Sequence, residues 1–241
     1  MRKIYVVGIG PGDKKGMTLQ AADALEEADV LCGYAKYIEL VAPLFPEKSI
    51  ITTGMKKESE RCHAALKSAS EGKTTALVCS GDAGVYGMAG LIFELSPNYP
   101  EVEIEIVAGV SAAMSGAALL GSPLGHDFAV VSLSDLLTPW ELIEKRLIAC
   151  ANADFALSIY NPASHGRPDH LAKACDILRS HKSGDTICGW AKNIGRKGEE
   201  CGTLTLSQLR DFEADMFTTV FIGNKMTKVI SGKMVTPRGY K

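Results

Sequence analysis

Four short segments carry residue types suited to ligand chemistry, and each follows an apolar or β-branched run. They are Gly8-Ile9-Gly10-Pro11-Gly12-Asp13, Ser80-Gly81-Asp82-Ala83-Gly84-Val85-Tyr86-Gly87, Ala108-Gly109-Val110-Ser111-Ala112 and Ser158-Ile159-Tyr160-Asn161-Pro162. Glycine lets a ligand lie against the backbone. A serine or the free N–H groups that open a helix bind polar atoms, and a carboxylate such as Asp82 accepts from hydroxyl or ammonium groups. Any one of these segments makes an ordinary turn. Four strand ends of this kind in one chain favour a ligand cleft between two domains, because ligands of open α/β sheets bind at the carboxyl edge. A nicotinamide dinucleotide is a poor fit: G-x-G-x-x-G requires glycine at 13, where Asp13 stands, and Pro11 stiffens the turn. No GxxxxGK[ST] loop is present to cradle a polyphosphate.

The elements that must position these segments follow from periodicity. Residues 3–7 read as a strand and 18–28 as a helix with Leu19, Ala22 and Leu25 on one face. Short strands follow at 30–31 and 49–51, then a charged helix at 57–70 with Ala64, Ala65 and Leu66 inward. A strand at 74–79, a helix at 85–95, a strand at 102–107 and a small-residue helix at 111–120 complete the first half. The turn-rich Gly121-Ser122-Pro123-Leu124-Gly125 ends it. The pattern restarts with a strand at 128–133 and a helix opened by Pro139, with Trp140, Ile143, Leu147 and Ile148 at core spacing. Strands at 155–160, 186–190 and 216–222 follow, then a hairpin at 227–236 across Ser231-Gly232. Strand–helix alternation predicts an α/β protein of two α/β domains with mixed sheets, residues 1–121 and 122–241.

Composition excludes other classes. The chain has 241 residues, 46% apolar and 22% charged, with a formal net charge of −2, which suits neither a disordered nor a fibrous protein. The near-neutral balance lacks a nucleic-acid footprint. No apolar run reaches the ~20 residues of a membrane span, and Met1-Arg2-Lys3 leads straight into a strand, so a cytoplasmic location is expected. Seven cysteines and five histidines are scattered without metal-ligand spacing, so no protein-bound metal is expected.

Taken in order, the GxGPGD turn, the Ser80–Gly90 run SGDAGVYGMAG, AGVSA at 108–112 and the Tyr160-Asn161-Pro162 turn resemble the tetrapyrrole methylase family over essentially the whole chain. These are the S-adenosylmethionine-dependent methyltransferases of cobalamin and sirohaem biosynthesis. Ser132-Leu133-Ser134-Asp135-Leu136-Leu137-Thr138-Pro139-Trp140, the YNP turn through Arg167, and Thr236-Pro237-Arg238-Gly239-Tyr240 look like the branch that methylates carbon-17 of precorrin-3B. The resemblance implies a homodimer of two-domain chains with the cofactor folded between the domains. Carried over by position, Pro11, Gly81, Asp82, Val85, Ser111, Ala112, Asn161 and Ala191 lie near S-adenosylmethionine or its product S-adenosylhomocysteine. Gly12, Asp13, Met55, Arg167 and Arg196 face the tetrapyrrole substrate. Nucleic acid and membrane are not among the expected partners.

The same resemblance implies chemistry. Methyl transfer from a sulfonium to a nucleophilic ring carbon needs alignment and exclusion of water rather than a catalytic triad. In the carbon-17 branch it accompanies ring contraction and closure of an acetate side chain into a lactone, which needs proton handling. Asp135 and Tyr34 are the candidate catalytic residues, with His126 and Asp13 behind them. Tyr34 stands where the family's uroporphyrinogen methyltransferases carry a proposed proton-transfer aspartate. Their partner lysine falls in Thr53-Gly54-Met55-Lys56, so that acid/base pair is not carried over. A polycarboxylate substrate also needs cations, and Lys56-Lys57 with Arg61, Lys192 with Arg196 and Lys197, Arg167 and Arg238 are the candidates; a solvated helix face is the other reading, favoured for Lys56-Lys57 and even with substrate binding for Arg167 and Arg196. The cobalt-bearing substrate, cobalt-factor III, is preferred over the metal-free one, its metal arriving inside the macrocycle. The rival readings are a methylase of the same fold acting on another precorrin, on ribosomal RNA or on a protein side chain, a nicotinamide oxidoreductase, and a non-catalytic binding module.

Overall fold

Apolar runs of the first half become strands β1 (Lys3–Gly8), β2 (Val30–Tyr34), β3 (Ser49–Thr53), β4 (Thr75–Cys79) and β5 (Glu103–Val107) in the computed structural model, which describes residues 2–240. Their order is β3-β2-β4-β1-β5 and every pairing is parallel. This sheet is therefore wholly parallel rather than mixed. Helices α1 (Leu19–Glu27), α2 (Ala35–Val41), α3 (Glu58–Ser70) and α4 (Ala89–Leu95) lie along the connections between strands. Side chains alternate across the pleat: Ile4 and Val6 pack with Leu66 and Ile92 of α3 and α4, while Tyr5 and Val7 pack with Leu25, Ile38 and Val41 of α1 and α2. Strands covered on both faces are buried throughout, as β4 is, and its one polar residue, Thr75, donates to Ser68 Oγ at 2.9 Å.

Two expectations for this half shift. Leu19 is 85% exposed, and α1 buries Ala21, Ala24 and Leu25 instead. Thr18 caps the helix by accepting from the Ala21 N–H at 3.1 Å, which sets its phase, and the small Ala21 and Ala24 let it lie close to the sheet. The helix expected from 85 begins at Ala89, because Asp82 Oδ1 accepts from the N–H groups of Gly84 and Val85 and folds that stretch into a loop.

The second half opens with α5 (Ala112–Leu120) and the short β6 (Gly121–Ser122). Strands β7 (Phe128–Ser132), β8 (Ala156–Tyr160), β9 (Ile187–Lys192), β10 (Glu200–Thr205) and β11 (Thr218–Ile222) form its sheet, with α6 (Trp140–Asn152), α7 (His170–Arg179) and α8 (Leu206–Leu209) between them. The order is β10-β9-β11-β8-β7; β7 and β8 are parallel, whereas β11 is antiparallel to β8 and β9, so this sheet is mixed. Ile143 and Leu147 of α6 and Leu171, Cys175 and Leu178 of α7 fill a core with Leu157 and Ile159. Strands β12 (Lys228–Ile230) and β13 (Lys233–Val235) form the expected hairpin, with Ser231 and Gly232 at φ +50° and +76°, and β13 also pairs with β6.

The chain divides into two units, Met1–Ala112 and Ala113–Lys241. The division falls after Ala112, the first residue of α5. Gly116 of α5 sits so close to Phe221 of β11 that a Cβ there would stand 2.8 Å from the ring, so the helix packs with the second sheet. No helix among the described residues is long and apolar enough to cross a membrane.

Candidate active site

In the first unit, β1, β4 and β5 all end at the same sheet edge, and their glycine-bearing loops meet backbone to backbone. Gly10 and Gly81 exchange hydrogen bonds, Gly10 N–H to Gly81 O at 3.0 Å and Gly81 N–H to Gly10 O at 2.8 Å. A Cβ on Gly8 would stand 2.7 Å from the Gly81 oxygen and 2.8 Å from the Gly109 nitrogen, so only glycine permits this crossing. Asp82 locks it: Oδ1 accepts from Gly84 N at 2.8 Å and Val85 N at 3.1 Å, and Oδ2 accepts from Gly109 N at 3.0 Å. A carboxylate has about four acceptor positions, so three bonds leave capacity for a ligand hydroxyl or ammonium.

Around this knot Val85, Tyr86 and Val110 are exposed, and Tyr86 is held at φ +55°, an outlier for a bulky residue. Such an apolar, glycine-lined edge beside a carboxylate suits a ligand that carries both a flat apolar ring and hydroxyl groups. Ser111 is buried and Ala112 opens α5. Pro11 and Gly12 lie in the β1 loop, Gly12 at φ +143°. Asp13 is exposed, and its Oδ1 accepts from the Gly16 N–H at 2.8 Å, capping a short turn.

Tyr34 ends β2 and packs edge-on against Tyr37, ring centroids 5.2 Å apart. The Arg61 guanidinium lies 5.8 Å from the Tyr34 centroid. Arg61 is not a surface cation beside Lys56 and Lys57: it is 3% exposed and faces inward from α3. It donates from Nε to Thr53 Oγ1 and from Nη2 to the Gly54 oxygen, both at 2.8 Å. A guanidinium fork of this kind fixes the strand end that leads to Met55, which is exposed. Lys57 pairs with Glu60 at 2.9 Å.

In the second unit the functional side chains gather at the ends of β7 and β8. Asn161, at φ +52°, donates from Nδ2 to Ser132 Oγ at 3.0 Å, and the Tyr160 hydroxyl accepts from the Ala113 N–H at 2.8 Å. Arg167 reaches back to the β7 end. Its Nη1 donates to Ser134 Oγ at 2.6 Å and lies 3.6 Å from Asp135 Oδ1, while Nε donates to Ser164 Oγ at 3.2 Å. Asp135 and Arg167 are thus brought together. His170, which carried no motif in the sequence, joins them with Nε2 3.6 Å from Asp135 Oδ2. His126 lies apart, at the start of β7, beside Asp127. Ala191 is fully buried within β9, paired with Cys201 and Thr219, and offers a ligand no exposed side chain. Arg196 stands in the turn after β9, whose Lys192 pairs with Asp215 at 2.8 Å.

A cavity of about 740 Å³ lies beside the Arg167 loop. Asp211, Glu213 and Asp215 line it, so a polycarboxylate would meet like charge there.

The comparisons with known proteins bear on these edges. The family model described as Tetrapyrrole (Corrin/Porphyrin) Methylases matches residues 3–210. The chain is 50% identical over 239 residues to the probable cobalt-factor III C(17)-methyltransferase of Salmonella typhimurium, covering 98% of this chain and 99% of that protein. It is 36% identical over 246 residues to the precorrin-3B C(17)-methyltransferase of a Sinorhizobium species, covering 98% and 96%. The crystal structure of the methyltransferase CobJ matches with a TM-score of 0.90 at 36% identity, over 97% of this chain and 99% of that one.

Proposed function

The chain belongs to the tetrapyrrole methylase family, and from that premise we propose that it methylates carbon-17 of cobalt-factor III in cobalamin biosynthesis, with ring contraction and lactone formation. The observation that carries this reading is the 50% identity to a cobalt-factor III C(17)-methyltransferase across 99% of its length. The lower identity, 36%, to the relative named for metal-free precorrin-3B favours the cobalt-bearing macrocycle as substrate.

S-adenosylmethionine supplies an electrophilic methyl group when bound. Val85 and Val110 cover its base, Asp82 accepts from its hydroxyl or ammonium groups, and the backbone at Gly81, Ser111 and Ala112 lines it. Pro11 and Asn161 border the same ligand. Gly12, Asp13 and Met55 approach the macrocycle, and Arg167 and Arg196 bind its carboxylates. Tyr34 and Asp135 handle protons. Alignment and exclusion of water then supply most of the rate. A homodimer in the cytoplasm completes the reading, and sedimentation of the purified protein tests the dimer.

Parallel anaerobic incubations with cobalt-factor III and with precorrin-3B test the substrate. The cobalt-bearing macrocycle is expected to turn over at least tenfold faster in kcat/KM, a difference of about 1.4 kcal/mol in transition-state binding. Equal or reversed rates would assign the metal-free substrate.

A further inference from the structure

His170 is a buried titratable group with no part in the reaction as described. It opens α7 and is 6% exposed, with Nδ1 2.9 Å from the Leu133 carbonyl oxygen and Nε2 3.6 Å from Asp135 Oδ2. A carbonyl oxygen only accepts, so Nδ1 carries a hydrogen, and in the neutral ring Nε2 is then a bare lone pair. An ionised carboxylate also only accepts. The two groups therefore face each other favourably only with a proton between them, on Nε2 or on Oδ2.

Neighbouring elements hold this arrangement. Trp140 of α6 packs on the imidazole with centroids 4.8 Å apart. Arg167 Nη1 lies 3.6 Å from the other oxygen of Asp135. Asp169, adjacent on the chain, is engaged by Lys173 at 2.8 Å, and Lys173 itself lies 6.0 Å from the Trp140 ring.

Charge balance gives the pair a task. The new carbon–carbon bond uses an electron pair of the macrocycle, and the sulfur keeps the pair of the bond that breaks. The macrocycle thereby gains one positive charge, which it discharges by losing a proton. We propose that Asp135 accepts this proton and that His170 is its positioning partner, taking the proton onward at Nε2. The bond to the departing proton breaks with its electrons left on the macrocycle, and a carboxylate lone pair forms the O–H bond. The Nε2 lone pair then takes the proton, restoring the carboxylate, and bulk water removes it after product release. This rests on the methyl transfer proposed above.

Two measurements on the intact protein test it. Nitrogen-15 spectra of the side-chain imidazoles, without substrate, are expected to show neutral His170 as the Nδ1–H tautomer. In Asp135→Asn its Nε2 resonance is expected to shift, because an amide N–H can donate to the bare lone pair where an ionised carboxylate cannot. In turnover, His170→Asn is expected to lower kcat by roughly 10- to 100-fold with KM nearly unchanged. The shape of its kcat–pH profile should change, since the carboxylate no longer shares the proton with an imidazole. His170→Gln, checked by circular dichroism and melting, guards against a misfolded variant.

An Nε2–H tautomer, an Nε2 resonance indifferent to Asp135→Asn, or a kcat–pH profile that merely scales down in His170→Asn would each overturn the proton-carrying pair. If the wild-type protein transfers no methyl group to a corrinoid, the source of the proton is gone and its role here falls. The nitrogen-15 spectra still decide by themselves whether the pair exists.

Discussion

Asp82 accepts three backbone hydrogen bonds that join the β4 loop to the β5 loop, a structural role that accompanies its proposed contact with the cofactor. Asp82→Ala is expected to weaken S-adenosylhomocysteine binding by tenfold or more and to cost about 1–3 kcal/mol of stability, because the N–H groups lose their acceptor. Calorimetry and urea melts measure the two; affinity within twofold of wild type would remove Asp82 from the site. The thiols make a pH prediction. Burial pushes Cys32, Cys62 and Cys175 from 9.0 up to about 12. A thiol raised in the fold stabilises it fully below the unfolded value, and that contribution is lost as pH rises towards the folded one. Stability should therefore decline between about pH 9 and 12, and Cys175→Ala should reduce the slope in guanidinium melts. An unaltered slope would contradict this.

At the scale of elements, the β12–β13 hairpin isolates a backbone effect. Gly232 has φ +76° and a Cβ there would touch nothing within 4 Å, so Gly232→Ala should cost about 1–2 kcal/mol from conformation alone. An unchanged urea midpoint would show that the turn relaxes freely. This hairpin was legible in the sequence because Ser231-Gly232 sits between two short runs, and strand ends such as Gly8 and Gly81 were legible because glycine marks close backbone approach. Other features left weaker traces. Thr205 and Gln208 form a capping box that opens α8, a signal that apolar periodicity passes over. The burial of Arg61 depends on a carbonyl and a hydroxyl at the end of β3, a tertiary contact that no local spacing encodes. His170 reads as an isolated histidine until the ends of β7 and β8 bring Asp135 to it.

For the whole molecule, the two sheets divide the work by topology. A wholly parallel sheet brings three glycine loops to one edge, as in other doubly wound folds. A mixed sheet places Asp135, Arg167 and His170 together at the ends of two parallel strands. With a net charge of −2, the proposed polyanionic substrate depends on locally placed cations, and Arg167→Ala should raise the macrocycle's KM severalfold with kcat little changed. The most direct test of the proposed activity is to incubate the protein anaerobically with cobalt-factor III and S-adenosylmethionine bearing an isotopically labelled methyl group, and to locate the label in the product by NMR. The expected result is a single labelled methyl on carbon-17 of the corrinoid. A label on any other carbon, or an unlabelled macrocycle from a protein that still binds S-adenosylhomocysteine, would contradict it.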